Sequence, residues 1–285
     1  MEQAGLVLEG GGMRGVYTAG VLDYFMEREL TFSHCYGVSA GACHLASYMS
    51  GQKGRALKVS LDYLQDKNYC SAYSLVRTGD LFGVEMCYNR IPNELCPYDY
   101  EAFNKYPGKG YAVVTNIETG RPEYIQLVDM HTDIQAIRAS ASLPLVSRNV
   151  EINGKLYLDG GMADSIPIRR ARKDGNEKNV VILTRPIGYR KKPSSSANLK
   201  LMQLRYKKYP KVVEDMEKRY LRYNKTLKLV EKEEEEGKAF VFRPEKLITI
   251  DRIEKDKNKL KVLYLQGYHD AAMNFDAMLD FLHKA

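Results

Sequence analysis

A chain of 285 residues with 44% hydrophobic and 28% charged content has room for one large α/β domain, or for a core with a smaller C-terminal piece. Its net charge of +7 is unevenly placed: residues 185–228 hold fourteen Lys/Arg against Glu214, Asp215 and Glu217, which makes that segment +11 and the remainder −4. No apolar run approaches the ~20 residues of a membrane-spanning helix, the acidic start does not read as a secretory leader, and five cysteines without a C-x-x-C pair exclude a disulfide framework or zinc cluster; a cytoplasmic protein with reduced, mostly structural thiols is expected.

Residues 5–9 form a short apolar run ending in glycines, the pattern of a buried strand. Helical spacing follows over 16–30 (Val16, Ala19, Leu22, Phe25, Met26), and strand, glycine turn and helix open an α/β layered fold. The unit repeats, with a run over 30–36 entering Gly37 and a helix expected over 40–49. Another helix is expected over 55–65. Residues 69–108, rich in tyrosine with Pro92, Pro97 and Pro107, read as a loop-rich cap or insertion. Strands are expected over 111–117 and 123–128, joined by a turn at 118–121. A short helix over 134–142 should stop before Pro144. Residues 151–158 read as a hairpin with an Asn153-Gly154 turn, delivering Asp159-Gly160-Gly161 at its end. A helix over 168–173, a buried strand over 180–184, a flexible loop at 192–196 and a long charged helix over 210–236 follow. Strand-like runs at 240–242 and 247–250 and helices near 252–265 and 268–284 complete the chain.

Two glycine-rich stretches carry the chemistry. Gly37-Val38-Ser39-Ala40-Gly41 reads G-x-S-x-G at a strand-to-helix turn, where small neighbours let the backbone bend and expose a nucleophilic hydroxyl. Upstream, Gly10-Gly11-Gly12-Met13-Arg14-Gly15 follows the first strand. Gly10, Gly12 and Gly15 also satisfy G-x-G-x-x-G, but a dinucleotide site needs an acid at the end of the second strand, and the serine turn stands there instead. The better reading is an oxyanion hole: backbone N–H groups aimed at the carbonyl oxygen stabilise the charge that acyl transfer builds there. Arg14 would orient this loop or add positive charge, or be an ordinary surface arginine.

Ser39 needs a base. Chain order permits an α/β-hydrolase triad ending in His269 or His283. In that fold, however, the nucleophile follows several strands, whereas Ser39 follows two. The alternative is a two-residue site in which a carboxylate serves as base, and the hole and substrate positioning carry most of the rate. The histidines have bland readings: His34 lies in the strand before the serine, His131 in a loop, His269 and His283 in C-terminal helices, and His44, five positions past Ser39, should point away from it.

The glycine loop, the serine pentapeptide and Asp159-Gly160-Gly161, in this order and these contexts, resemble the patatin-like phospholipase family, and most of all its small bacterial members. Asp164 and Pro167 also fit. The resemblance covers roughly residues 4–185. It implies a three-layer α/β/α core with a mainly parallel sheet, followed by a basic linker and mostly helical region over 186–285. It further implies a catalytic dyad of Ser39 and Asp159, an oxyanion hole of Gly10, Gly11 and Gly12 beside Arg14, and structural roles for Gly37, Gly41, Gly160 and Gly161. Residues 265–271 resemble a helical region appended in some bacterial members.

The expected activity is hydrolysis of fatty acyl esters of lipids through an acyl-enzyme. Covalent serine chemistry needs no cofactor, and no metal-ligand pattern appears. A second reading is a peripheral lipid-binding protein with a vestigial site, its basic 185–228 region meeting an anionic membrane or simply forming a solvated helical face. Nucleic acid is not expected, because no nucleic-acid module accompanies Tyr206, Tyr209, Tyr220 and Tyr223 in that region.

Overall fold

The computed structural model describes residues 1–245, 250–251 and 253–284. The chain runs β1 (Glu2–Leu8), α1 (Val16–Glu27), β2 (Phe32–Val38), α2 (Ala40–Met49), α3 (Arg55–Asp62), α4 (Ala72–Thr78), α5 (Tyr100–Asn104), β3 (Lys109–Asn116), β4 (Pro122–Leu127) and α6 (Met130–Ser140). It continues through β5 (Val150–Ile152), β6 (Lys155–Asp159), α7 (Ile168–Lys173), β7 (Asn179–Ile182), α8 (Ser196–Arg205), α9 (Pro210–Glu235), β8 (Ala239–Phe242) and α10 (Lys257–His283). The sheet has eight strands in the order β5-β6-β3-β2-β1-β7-β8, with β4 on the other part of β3. Strands β3, β2, β1, β7 and β8 are parallel neighbours, and the antiparallel pairs involve β4, β5 and β6.

Side-chain alternation explains why the parallel strands read as continuous apolar runs. On β1, Leu6 and Leu8 enter one core cluster while Val7 enters another; on β7, Val180 and Ile182 join the first and Val181 the second. Both faces of the sheet are therefore buried, as strands with crossover helices require. The first cluster is covered by α1, α2 and α10, the second by α7 and α9. This is a mixed α/β fold with a mostly parallel central sheet and a C-terminal helical region.

The hairpin over β5 and β6 turns at Asn153 and Gly154, both with positive φ (51° and 75°), the conformation an Asn-Gly turn favours. Elsewhere the structure corrects the sequence. The helix expected over 134–142 starts earlier, at Met130, because Asp129 caps it by accepting from the His131 N–H at 3.0 Å. The cap over 69–108 is more helical than expected, with α4, a π-helical stretch at Met86–Leu95 and α5. Sequence patterning missed α8, whose N-cap Ser195 accepts from the Asn198 N–H. The run at 240–242 is β8, whereas the one at 247–250 lies, save Ile250, outside the described residues.

The largest correction concerns the C-terminus. The two expected helices are one, the 27-residue α10. Gly267 looks like a breaker but is a contact point: a Cβ there would sit 2.1 Å from the Tyr17 carbonyl oxygen, and one on Gly20 would sit 2.1 Å from that of Tyr264. The paired glycines let α1 and α10 cross backbone to backbone. Tyrosine–carboxylate bonds flank the crossing, from Tyr17 to Asp270 (2.7 Å) and from Tyr264 to Asp23 (2.6 Å).

Candidate active site

Strand register brings the motifs to one edge of the sheet. Leu8 of β1 pairs with Gly37 of β2 and Ile182 of β7, Val38 of β2 pairs with Val113 of β3, and Val114 of β3 pairs with Asp159 of β6. Gly10, Ser39, Asp159 and Thr184 thus leave the sheet at one level, Ser39 and Asp159 separated by β3. Two strand spacings are about 10 Å between backbones, a gap that side chains converging over the edge can span. Crevices at the carboxyl ends of parallel strands are where α/β sheets place ligands.

Ser39 sits between β2 and α2 with φ 55° and ψ −122°, a strained conformation for a non-glycine residue. Its surroundings hold it there. Its N–H donates to Ser140 Oγ at 2.8 Å, and that hydroxyl donates to the Val113 carbonyl at 2.6 Å. Crowding explains the flanking glycines. A Cβ on Gly41 would lie 2.7 Å from the Leu8 carbonyl oxygen, one on Gly37 2.6 Å from the Ala42 Cα, and one on Gly10 2.9 Å from the Ser39 Cβ.

Asp159 is only 1% exposed. Its Oδ1 accepts from the Gly161 N–H at 2.7 Å, and its own N–H donates to the Ser142 carbonyl at 2.8 Å. Gly160 lies against the Val113 carbonyl, where a Cβ would come within 2.0 Å. A short 3₁₀ turn, Gly160–Met162, follows. Across the edge, Gly10 and Gly11 lead into a second 3₁₀ turn, Gly12–Gly15, ahead of α1.

Two cavities meet at Ser39. One, of about 180 Å³, is apolar and lined by α2, α3, α6 and the 69–108 segment, with Cys43, Tyr69, Phe82, Tyr88, Ile91 and Ile137 in its wall. The other is small and polar, and it takes in Gly10, Gly11, Gly12, Arg14, Asp159 and Gly161. Ser39, Gly12 and Leu143 line both. His44 also lines the apolar cavity, so it does not lie away from the serine's surroundings as its spacing suggested. Burial pushes its pKa down to about 4, which keeps the ring neutral near neutral pH. Burial, with the charge of Asp159 behind it, raises the Cys43 thiol to about 12, far from a reactive thiolate. His283 pairs with Glu2 at 3.2 Å, at the end of β1 opposite the serine edge. His34 meets Asn176 at 3.1 Å, and His131 stacks on Tyr100.

A family model described as "Patatin-like phospholipase" matches residues 6–172, the stretch that carries all three motifs. The chain belongs to the patatin-like phospholipase family. A second model, a domain of unknown function (DUF6363), matches residues 209–283. The chain is 33% identical over 186 residues to "Uncharacterized protein YjjU" of Escherichia coli (strain K12), covering 64% of this chain and 52% of that protein. It is 29% identical over 191 residues to "Probable lipid hydrolase 463L" of Invertebrate iridescent virus 6, covering 61% of this chain and 65% of that one. The aligned parts thus span about half to two thirds of these curated relatives. Among solved structures, VipD from Legionella pneumophila aligns with a TM-score of 0.48 and 15% identity over 97% of this chain and 67% of that one.

In this patatin-like chain the polar cavity also draws on residues beyond 172, which the motifs did not reveal. Tyr223 of α9 donates to Glu9 Oε1 at 2.5 Å, and Thr184 donates to Glu9 Oε2 from its N–H (2.6 Å) and hydroxyl (3.1 Å). The buried carboxylate just ahead of Gly10 therefore has three donors. Arg219 Nε donates to the Gly161 carbonyl at 2.5 Å, and Arg222 donates to the Met162 carbonyl at 3.0 Å. Helix α9 thus grips both the strand that enters the glycine loop and the turn after Asp159. Arg185, Lys191 and Arg219 line the cavity as well. In the sequence they were three cations among fourteen in a basic stretch, with no signal that they face inward.

Proposed function

We propose that the protein is a serine acyl hydrolase acting on fatty acyl esters of lipids. The observation that supports this most is the place of Ser39: on a strained turn, where an apolar cavity meets a polar one containing Asp159 and the glycine loop. An ester laid across Ser39 directs its acyl chain into the apolar cavity. Asp159 takes the serine proton as Oγ attacks the carbonyl carbon. The N–H groups of the 10–12 loop and the start of α2 stabilise the oxyanion. Collapse releases the alcohol, which recovers the proton from Asp159, and leaves an acyl-serine that water then hydrolyses by the same route. A carboxylate is a weak base for a hydroxyl, so the hole and positioning carry most of the rate.

A fluorophosphonate should label wild type at Ser39. Ser39→Ala should lose the label, and Ser39→Ala and Asp159→Asn should each reduce p-nitrophenyl ester and phospholipid hydrolysis by about 10³-fold. Retained hydrolysis in both variants would sink the reading. Loss in His269→Ala with activity kept in Asp159→Asn would favour a histidine triad instead.

The basic segment supports a peripheral role for the same enzyme. No described helix is long and apolar enough to cross a membrane. On α8, however, Leu201 (56%) and Leu204 (77%) are exposed beside Lys200, Arg205, Lys207 and Lys208. Apolar side chains set among cations suit the surface of an anionic bilayer. Sedimentation with anionic vesicles should exceed that with neutral ones, fall with salt, and weaken in Leu201→Ser/Leu204→Ser. Equal sedimentation with both vesicle types counts against the contact.

A further inference from the structure

The apolar cavity beside Ser39 has a cation in its wall. The cavity follows α2, taking in Ser39, Cys43, His44 and Ser47, and Arg55 at the start of α3 also lines it. The guanidinium stands beside Ser47, with Nη1 at 3.5 Å from Ser47 Oγ. Ser39 is the N-cap of α2 and Ser47 lies near its other end, eight residues on. Eight residues of helix advance about 12 Å. One cavity therefore connects the nucleophile to a positive charge about the length of a medium acyl chain away.

Arg55 is held in place without a counter-ion. Its Nη2 donates to the Cys96 carbonyl at 3.0 Å, and the guanidinium lies 5.2 Å from the Tyr98 ring centre. Its Nε is buried with no hydrogen-bond partner. Among the described residues no carboxylate pairs with it; the ionisable groups that act on it most are Cys96, Tyr98, Tyr100 and Tyr63. Arg170, Arg172 and Arg222 differ in this respect, since each pairs with an acid: Asp174, Glu233 and Asp215. Burial lowers the pKa of Arg55, yet a guanidinium stays protonated at neutral pH. A charge in an apolar wall with donors to spare carries a desolvation cost that a bound anion offsets. A carboxylate matches the guanidinium fork best.

Resting on the hydrolase reading, we infer that Arg55 binds a carboxylate at the far end of the acyl chain, so that the enzyme prefers medium-length acyl groups ending in a carboxylate over those ending in a methyl group. With the ester carbonyl at Ser39, the chain lies along α2 and its terminal carboxylate meets the guanidinium. A plain chain of the same length leaves the cation unpaired. A shorter dicarboxylic chain buries its charge in the apolar wall without reaching the cation, which disfavours it. The preference thus depends on chain length.

The test compares the mono-p-nitrophenyl ester of nonanedioic acid with p-nitrophenyl nonanoate, and the corresponding hexanedioic and hexanoic esters, all below the concentrations at which they associate. Wild type should favour the nonanedioyl over the nonanoyl ester in kcat/KM by about tenfold, as a charge-assisted pair implies. The six-carbon pair should show the opposite order. Arg55→Met keeps most of the side-chain volume without the charge, and should lower the nine-carbon ratio by about a hundredfold, because the terminal carboxylate is then buried unpaired. Arg55→Lys should keep most of the preference. Reading a ratio of two esters cancels any loss that altered packing at Cys96 and Tyr98 inflicts on both. Equal kcat/KM for the nine-carbon esters in wild type overturns the inference, as does a preference that survives Arg55→Met or one equally large in the six-carbon pair. So does slowing of fluorophosphonate labelling by free nonanoate that Arg55→Met abolishes, with no preference between the esters, which assigns the cation to a fatty acid entering tail first. If no ester is cleaved while Ser39 still labels, the inference fails and the hydrolase reading stands. If Ser39 does not label, the hydrolase reading fails with it.

Discussion

The stretch over 6–172 and the stretch over 209–283 contribute to the same sheet edge in different ways. In the first, the residues of each motif are consecutive and backbone geometry sets their arrangement: glycines allow close approach at Gly10, Gly37 and Gly41, and the strained Ser39 is held by Ser140. In the second, the contributing residues are scattered and act through side chains. Tyr223 reaches Glu9, and Arg219 and Arg222 reach the turn after Asp159. Backbone-driven features leave compact motifs, because they demand particular residue types at fixed spacing. Side-chain reach across a core leaves no such trace.

That contrast can be broken most directly at the α1–α10 crossing. Gly267→Leu should destabilise the protein by about 3 kcal/mol or more, because the added side chain must displace the backbone at Tyr17. Even Gly267→Ala should destabilise, despite the ~1 kcal/mol that alanine gains in a helix. Urea unfolding measures both, and a stabilising Gly267→Ala would mean that the C-terminal helix is not seated as tightly as the crossing requires.

His44 sharpens the N-terminal side of the comparison. Burial penalises the charged ring and pushes its folded pKa down to about 4, below the ordinary imidazole value of about 6.5. The folded state therefore binds fewer protons than the unfolded one between these values. The stability tied to the neutral ring is complete above pH 6.5 and is lost as pH falls towards 4, by at most about 3 kcal/mol. Subtracting the unfolding free energy of His44→Asn from that of wild type at each pH should isolate this slope. A difference that stays flat from pH 7 to 4.5 would contradict the buried, neutral ring.

The smallest expected effect tests the reach of the C-terminal side. Tyr223→Phe removes one of three donors to buried Glu9 and should cost about 1–2 kcal/mol in stability. Because Glu9 precedes Gly10, kcat for a p-nitrophenyl ester should fall several-fold with less change in KM. A loss of stability with kcat unchanged would reduce α9 to a packing element.

Much of the fold was legible in sequence. Unbroken apolar runs at 5–9 and 180–184 marked strands buried on both faces, and Asn153-Gly154 marked a hairpin. The two helices expected near 252–265 and 268–284 are one because Gly267, between them, is a helix-crossing glycine, which looks like a helix-breaking one until the partner helix is in place. The short helix α8 escaped because its pattern is only weakly amphipathic, with Leu201 and Leu204 facing outward. His44 was misplaced because helical spacing gives an angle about one axis and not the course of a cavity wall.

The family, the strand-to-helix serine and the glycine loop can be read from consecutive residues, since they depend on local backbone chemistry. Tertiary structure alone decided that Asp159 lies level with Ser39 across β3, that Ser39 stands between an apolar and a polar cavity, and that Arg185, Lys191 and Arg219 face the polar one. Strand register and long-range packing set these relations, and both depend on pairings between residues far apart in the chain.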